Sequence, residues 1–420
     1  MDIQDIYKLF KKTNEVCLDS RKINMNNLFF GIRGEHFDGN LYAEEAIKSG
    51  AIAAIVDKDL DSNNKAIIRV ENTTKVLQEL GNYHRKQLDI PLIAITGSNG
   101  KTTTKELIRT LLATKYNTAV TQGNLNNHLG VPLTLLGIRE SSEIAIIEMG
   151  ANHKKEIELL SNIAAPNYGY ITNFGKAHLA GFGGLEGVIQ GKSELYQYLD
   201  KNKGKIFVNS SNNSQMDLLR TSSAEIIKVE PLTKIKKIEP FLLLEYKGIE
   251  IKTNIVGAYN LENINSAIAI AEYFGVSLKK ITDGLESYVS QNNRSEYLIK
   301  GTNSIVLDAY NANPSSMRAA LRNFNTIDQK SKIVILGDMF ELGDVSKSEH
   351  QKIFNYAKKL GFKQIYLIGS EFNRIGDKFG GKFYRSFSEF VEAFKISNSS
   401  SYLIKGSRGM ALERITKLFD

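Results

Sequence analysis

Residues 90–106 read IPLIAITGSNGKTTTKE, and the reading of this stretch decides the fold. The run from Pro91 to Ile95 is short and apolar and ends at Thr96-Gly97, which predicts a buried strand. Beyond the glycines, TKELIRTLL (residues 104–112) predicts a helix. Between the two, Gly97 and Gly100 free the backbone to turn tightly, so that its N–H groups converge on an anion. Lys101 adds a charge for terminal phosphates, and the Thr102 hydroxyl is an oxygen ligand suited to Mg²⁺. The spacing is the short form G-x-x-G-K-T. The longer G-x-x-x-x-G-K-[ST] form would require glycine at position 95, where this chain has Ile95. Strand, loop and helix still occur in the order a phosphate loop demands. The expectation is an ATP site formed by Gly97, Ser98, Asn99, Gly100, Lys101, Thr102 and Thr103.

Composition bounds the rest. At 420 residues the chain should hold two to four domains, at roughly 100–200 residues each. Hydrophobic residues make up 42% of it, yet no apolar run approaches the roughly 20 residues needed to span a bilayer. The opening MDIQDIYKLFKK places acidic residues first with no long apolar core after them, unlike a signal peptide. A single cysteine, Cys17, excludes an internal disulfide, and no Cys/His cluster has metal-site spacing. A soluble cytoplasmic protein without membrane insertion is expected. The net charge of +8 comes from 54 basic and 46 acidic residues. The lysines are scattered, and short runs such as Lys234-Ile235-Lys236-Lys237 read as solvated faces rather than a nucleic-acid footprint. A substrate carrying phosphates and carboxylates accounts for the mild basic excess.

Working outward, the organisation is α/β throughout. Residues 1–83 form a small α/β unit with strands at Leu28–Phe30, Ala51–Val56 and Ala66–Val70 and a helix in YAEEAIKSG. Its polar clusters, Asp19-Ser20-Arg21 and Arg33 to Gly39, are either turns or ligand contacts. Residues 84–296 alternate helices with strands at Glu143–Glu148, Tyr168–Phe174 and Lys205–Val208, the pattern of a mostly parallel sheet with ligands at the carboxyl ends of its strands. Glu148 at the end of IAIIE is placed to hold Mg²⁺ directly or through water. Asn173 ends YITN, with His178 close behind; strand-end caps are the alternative for each. Lys247-Gly248 reads as a hairpin turn. Asn260 and Asn263 open the helix NLENINSAIAIAEYFG on one face, where they either reach a nucleotide or cap the helix. Residues 297–420 repeat the alternation, with strands Ile305–Leu307, Lys332–Leu336, Gln364–Ile368 and Tyr402–Ile404. These run into DAYNANP, GDMFELGD, GSEF and KGSRG, which predicts a second doubly wound domain. The junction SQNNRSEY is polar and short.

Taken together, these motifs resemble the Mur ligases over essentially the whole chain. TGSNGKTTTKE resembles their phosphate loop, EMGAN and TNFGKAHLAGFGG their central magnesium and strand-end segments, and GAYNLENINSAIA their G-x-H-N-x-x-N nucleotide motif. DSRKI, GIRGEHFDGN, DAYNANPSSM, GDMFELG and KGSRGM resemble the branch that extends a UDP-linked muramoyl tripeptide with D-alanyl-D-alanine. The resemblance implies three domains: a UDP-binding N-terminal one, a central P-loop-type ATPase and a Rossmann-like C-terminal one. It implies a reaction in which ATP phosphorylates the tripeptide carboxylate, the dipeptide amine attacks the acyl phosphate, and UDP-linked pentapeptide, ADP and phosphate are released. It implies a monomer acting on small molecules without nucleic acid, using ATP and two Mg²⁺ ions.

By the same resemblance Lys101, Glu148, His178 and Lys192 are catalytic, and Thr102, Glu148, His178 and Lys192 hold the metals, with Lys192 carbamylated. On residue pattern alone Lys192 is a helix-surface lysine. Asn260, Asn263, Arg294, Asp308 and Asn311 would join the loop in binding ATP. Ser20 and Arg21 would contact the UDP end, and Lys405 and Ser407 the peptide substrates. Tyr259 departs from the pattern, standing where the motif usually has histidine; its ring can still stack on a purine. Sibling Mur ligases, folylpolyglutamate synthase and a nucleotide-binding switch are the competing readings. The third-domain motifs argue against the first two, and the three-domain layout against the last.

Overall fold

Among the described residues four sheets carry the chain, and the largest two are mostly parallel because helices return the backbone to the same edge. The computed structural model describes residues 2–290, 293–376 and 381–420. The first sheet holds β1 (Glu15–Cys17), β2 (Asn27–Phe30), β3 (Ala53–Val56) and β4 (Ile67–Arg69), in that order and all parallel. The second holds β5 (Leu92–Thr96), β6 (Thr118–Val120), β7 (Ile144–Glu148), β8 (Tyr168–Ile171), β9 (Lys205–Asn209) and β10 (Glu225–Val229), in the order β10-β9-β8-β5-β7-β6. Every pairing in it is parallel. Every residue of β5 and β7 is buried, which is why LIAIT and IAIIE are continuous apolar runs instead of alternating ones. Because β5 lies between β7 and β8, the winding reverses there, and open α/β sheets leave a crevice past the strand ends at such a point.

A small antiparallel sheet follows: β11 (Thr233–Lys237), β12 (Leu243–Tyr246) and β13 (Ile249–Lys252). Lys247 and Gly248 turn β12 into β13 with φ of 50° and 79°, the primed geometry that matches strand twist. The last sheet holds β14 (Glu296–Lys300), β15 (Asn303–Asp308), β16 (Lys332–Gly337), β17 (Gln364–Ile368), β18 (Lys382–Tyr384) and β19 (Ser401–Lys405), in the order β14-β15-β19-β16-β17-β18. Only β14 in it runs antiparallel to its neighbour. The fold is thus α/β with the doubly wound plan expected for the central and C-terminal sheets. Separate apolar cores cover the two faces of each of these sheets.

The structure corrects one strand end. Tyr168–Phe174 was expected as a single strand, but β8 stops at Ile171. Thr172 is turned to the phosphate loop, its Oγ1 donating to Asn99 O at 2.6 Å. Six strands have no counterpart in the sequence reading: β1, β6, β10, β11, β14 and β18. All six lie at sheet edges. Of the junction SQNNRSEY, Gln291 and Asn292 lie outside the described residues. The first unit docks through the helix Thr73–Gln87, where a Cβ on Gly81 would come within 2.9 Å of Pro132. Among the described residues no helix is long and apolar enough to cross a membrane.

Candidate active site

The loop after β5 is shaped by its glycines. Gly97 has φ of 138° and Gly100 of 79°; a Cβ on the first would overlap Thr172 Oγ1, and on the second would lie 2.6 Å from Asn263 Oδ1. Ser98 donates through Oγ to Gly175 O at 2.9 Å, and Asn99 N–H donates to Asn173 Oδ1 at 3.1 Å. Lys101 opens the helix Lys101–Leu112 and folds back on the loop, its Nζ donating to Gly97 O at 2.7 Å. Burial lowers the pKa of this ammonium, against the pull of Glu148, and the nearby Arg294 cation lowers it further.

Glu148, at the end of β7, is buried. Its Oε2 accepts from Thr102 Oγ1 at 2.9 Å and its Oε1 from Asn126 Nδ2 at 2.8 Å. Two carboxylate oxygens and a hydroxyl beside a phosphate loop form a hard-oxygen donor set that suits Mg²⁺. Asn126 was not singled out from sequence. It follows β6, and the strand-end rule would have found it had that edge strand been legible.

Lys192 is not on the helix surface, which corrects the expectation from pattern alone. It is 1% exposed within the helix Leu185–Lys201 and donates to Ala151 O at 2.9 Å. Its Nζ lies 4.9 Å from the centre of the Phe182 ring. A Cβ on the preceding Gly191 would be 2.5 Å from that ring, so glycine there is what lets Phe182 close over the amine. Burial drives the Lys192 pKa well down, and the Lys101 charge adds to the effect.

The C-terminal sheet supplies the facing wall. In the β15–β19 register Asp308 sits opposite Lys405. Lys405, 2% exposed, donates to Asp308 Oδ2 at 2.5 Å and to Asn311 O at 3.1 Å. Ser407 is also buried; its N–H donates to Asp338 O and its Oγ accepts from Phe340 N–H at 3.0 Å. Both line the cavity while being engaged by protein partners. Asn313 caps the helix Pro314–Thr326 and donates through Nδ2 to Asn99 Oδ1 at 2.7 Å, tying the facing wall to the phosphate loop. Nearby, Lys176 N–H donates to Ser315 Oγ at 3.1 Å, and His178, in a left-handed conformation with φ of 51°, pairs through Nδ1 with the Glu341 carboxylate.

Between the walls lies a cavity of about 1270 Å³. Residues 98–103 of the loop border it, with Glu148 and His178 behind them. Asn260, Asn263, Arg294, Asp308 and Asn311 complete the lining. Asn263 joins two elements, its Nδ2 donating to Asn260 Oδ1 at 2.8 Å while its Oδ1 accepts from Thr104 at 3.1 Å. Arg294 lies flat on Tyr310, a residue not expected from sequence, at 3.5 Å from the ring centre. Gly97 and Lys192 stand behind the lining rather than in it. Ser20 and Arg21 lie elsewhere, on a turn where Asp19 binds the Arg21 guanidinium at 2.8 and 2.9 Å.

The loop carrying Glu341 is held by a buried histidine. His350 Nε2 accepts from Met339 N–H at 2.9 Å, while Nδ1 bonds Ser346 O at 2.8 Å. That arrangement requires a neutral ring, and burial lowers its pKa from the ordinary 6.5. A depressed folded pKa means stability is full above the unfolded value and is lost as pH falls from 6.5 through the folded value. Unfolding free energy should drop by about 1–3 kcal/mol over that window, the cost of stranding Met339 N–H, and urea titrations at pH 7.5 and 5.5 would read it. His350→Gln, which keeps an acceptor, should flatten this slope.

Three family models tile the chain: the Mur ligase family catalytic domain over residues 12–85, the Mur ligase middle domain over 95–271, and the Mur ligase glutamate ligase domain over 293–408. The chain is 34% identical over 427 residues to UDP-N-acetylmuramoyl-tripeptide–D-alanyl-D-alanine ligase of Bacillus subtilis, covering 96% of this chain and 92% of that one. It is 32% identical to the Haemophilus influenzae enzyme of the same name, covering 96% and 93%. Among solved structures, MurF from Acinetobacter baumannii superposes with a TM-score of 0.86 at 29% identity, covering 99% of this chain and 98% of that one.

Proposed function

The chain belongs to the Mur ligase family, and from that premise we propose that it joins D-alanyl-D-alanine to UDP-N-acetylmuramoyl-tripeptide with cleavage of ATP. The observation that carries this reading is that a phosphate loop on one sheet and the Asp308–Asn313 segment on another line a single cavity, linked by Asn99 and Asn313. The work divides among a UDP-binding unit over 1–83, an ATP-binding unit over 84–296 and a C-terminal unit over 297–420. Such an enzyme acts as a monomer in the cytoplasm.

The chemistry follows from what must be overcome. A carboxylate and a triphosphate repel each other, so catalysis is positioning and charge compensation. The tripeptide carboxylate attacks the γ-phosphorus and ADP departs; the dipeptide amine then attacks the acyl carbon and phosphate leaves. Lys101 and the loop amides hold the phosphates. Arg294, Asp308 and Asn311 approach the nucleotide from the facing wall, Asn260 contacts its base region and Asn263 joins the loop in binding it. Ser20 and Arg21 bind the UDP end, and Lys405 and Ser407 shape the peptide end. Thr102 and Glu148 would hold Mg²⁺, which when bound offsets phosphate charge. His178 and Lys192 are assigned to a second ion. Lys192 can serve only as a carbamate, since an ammonium is no ligand. Its low pKa favours the neutral amine that reacts with carbon dioxide.

Phosphate release should require ATP, UDP-muramoyl-tripeptide and D-alanyl-D-alanine together. Turnover that ignores the dipeptide but answers to glutamate or a diamino acid would refute the assignment. For Lys192, growth with ¹³C-bicarbonate should give a carbamate resonance that Lys192→Gln lacks, with activity lost in that variant; no such resonance in active enzyme would remove the modification.

A further inference from the structure

Arg294 sits in a strained piece of backbone. Its neighbours Asn293 and Ser295 both adopt left-handed φ, 56° and 54°, and neither is glycine. Asparagine visits this region routinely, but a serine persists there only when its surroundings over-determine it. Asn293 N–H donates to Glu296 Oε1 at 2.7 Å, and Asn293 O accepts from Tyr310 N–H at 3.2 Å, both within the C-terminal unit. The remaining anchor comes from the central unit: the hydroxyls of Ser295 and Tyr259 share a hydrogen bond at 2.6 Å. Ser295 is 7% exposed, so water does not compete for that bond. At the centre of this turn, Arg294 Nε is buried with no acceptor among the described residues, while its guanidinium rests on the Tyr310 face. A buried arginine N–H without a partner is costly, and this one lies in the wall of the cavity that takes the nucleotide.

We propose that the Tyr259 hydroxyl is a positioning group for Arg294, fixing through Ser295 the strained turn that aims the guanidinium at the phosphates of ATP. The inference rests on the reading that ATP occupies this cavity. Tyr259 stands where the nucleotide motif usually has histidine, and its ring packs on backbone, since a Cβ on Gly257 would run into it. Burial, with Asp308 nearby, raises the phenol pKa, so the O–H persists at working pH. Stacking on a purine would need only the ring, whereas positioning needs the hydroxyl. Tyr259→Phe separates the two.

The test uses the full chain. In Tyr259→Phe, kcat/KM for ATP should fall about tenfold while KM for the UDP-tripeptide and the melting temperature stay put. Ser295→Ala should behave alike, and the double variant should be no worse than either. Ser295→Gly placed in the Tyr259→Phe background should recover most of the loss, because glycine takes φ near 54° without a tether. Wild-type kcat/KM for ATP in Tyr259→Phe, or a loss that glycine leaves untouched, overturns the proposal. Calorimetric binding of a non-hydrolysable ATP analogue repeats the comparison without any amine. A wild-type chain that binds the analogue yet ignores D-alanyl-D-alanine sinks the ligase assignment while leaving this one open to the same variants.

Discussion

Lys101→Ala is expected to lower turnover about a thousandfold, or ~4 kcal/mol of barrier, while leaving the melting temperature near that of the native chain. The lysine's amine serves the loop, not an apolar core: its Nζ lies on the Gly97 carbonyl at 2.7 Å. On the proposed reading it contributes a cation held in place before the charge develops on the transferring phosphoryl group. Burial disfavours its charged form, so a phosphate bound on the loop would stabilise the ammonium and the ammonium the phosphate. Phosphate release and thermal unfolding on the same sample are the measurements. Turnover within tenfold of wild type would take the loop out of the mechanism.

Asp308→Ala is expected to cost about 3–5 kcal/mol of stability as well as activity. Lys405 is 2% exposed, and removal of its carboxylate partner would leave a buried ammonium facing only carbonyl oxygens of residues 308 and 311. Replacing both partners together, Asp308→Asn with Lys405→Met, removes the stranded charge and should return most of the stability without returning turnover. Urea unfolding distinguishes the cases. A single variant that loses less than about 1 kcal/mol would mean that the pair is solvated and of little structural consequence.

Interior strands were legible because burial on both faces writes a continuous apolar run, as in LIAIT and IAIIE. The six unread strands are all at edges, where one flank meets solvent and the composition loosens to TAV, TKIKK or KFY. The same asymmetry governs the site. Glu148 could be named because it ends a strand, whereas Asp308 and Lys405 were reached only through the resemblance of their motifs. The partners that join one sheet to another, Asn313 for Asn99 and Glu341 for His178, could not, since such contacts depend on how the units pack. Glycines at 187 and 191 mark a helix face that Phe182 approaches closely, but Lys192 lies about 100° round the helix from it, so its burial had no local signal in the sequence.

The hydrogen bond between Asn99 and Asn313 bears on how such enzymes diversify. It is a neutral amide pair joining the loop after β5 in the central unit to the cap of the helix Pro314–Thr326 in the C-terminal unit. A chimera carrying the C-terminal unit of a relative with a different amine preference could inherit that preference intact, provided the graft restores an amide at position 313. Without it the two halves would keep the Lys176–Ser315, His178–Glu341 and Tyr259–Ser295 contacts but lose the one made by the phosphate loop itself. The seam is thus a part of the site that neither half carries alone.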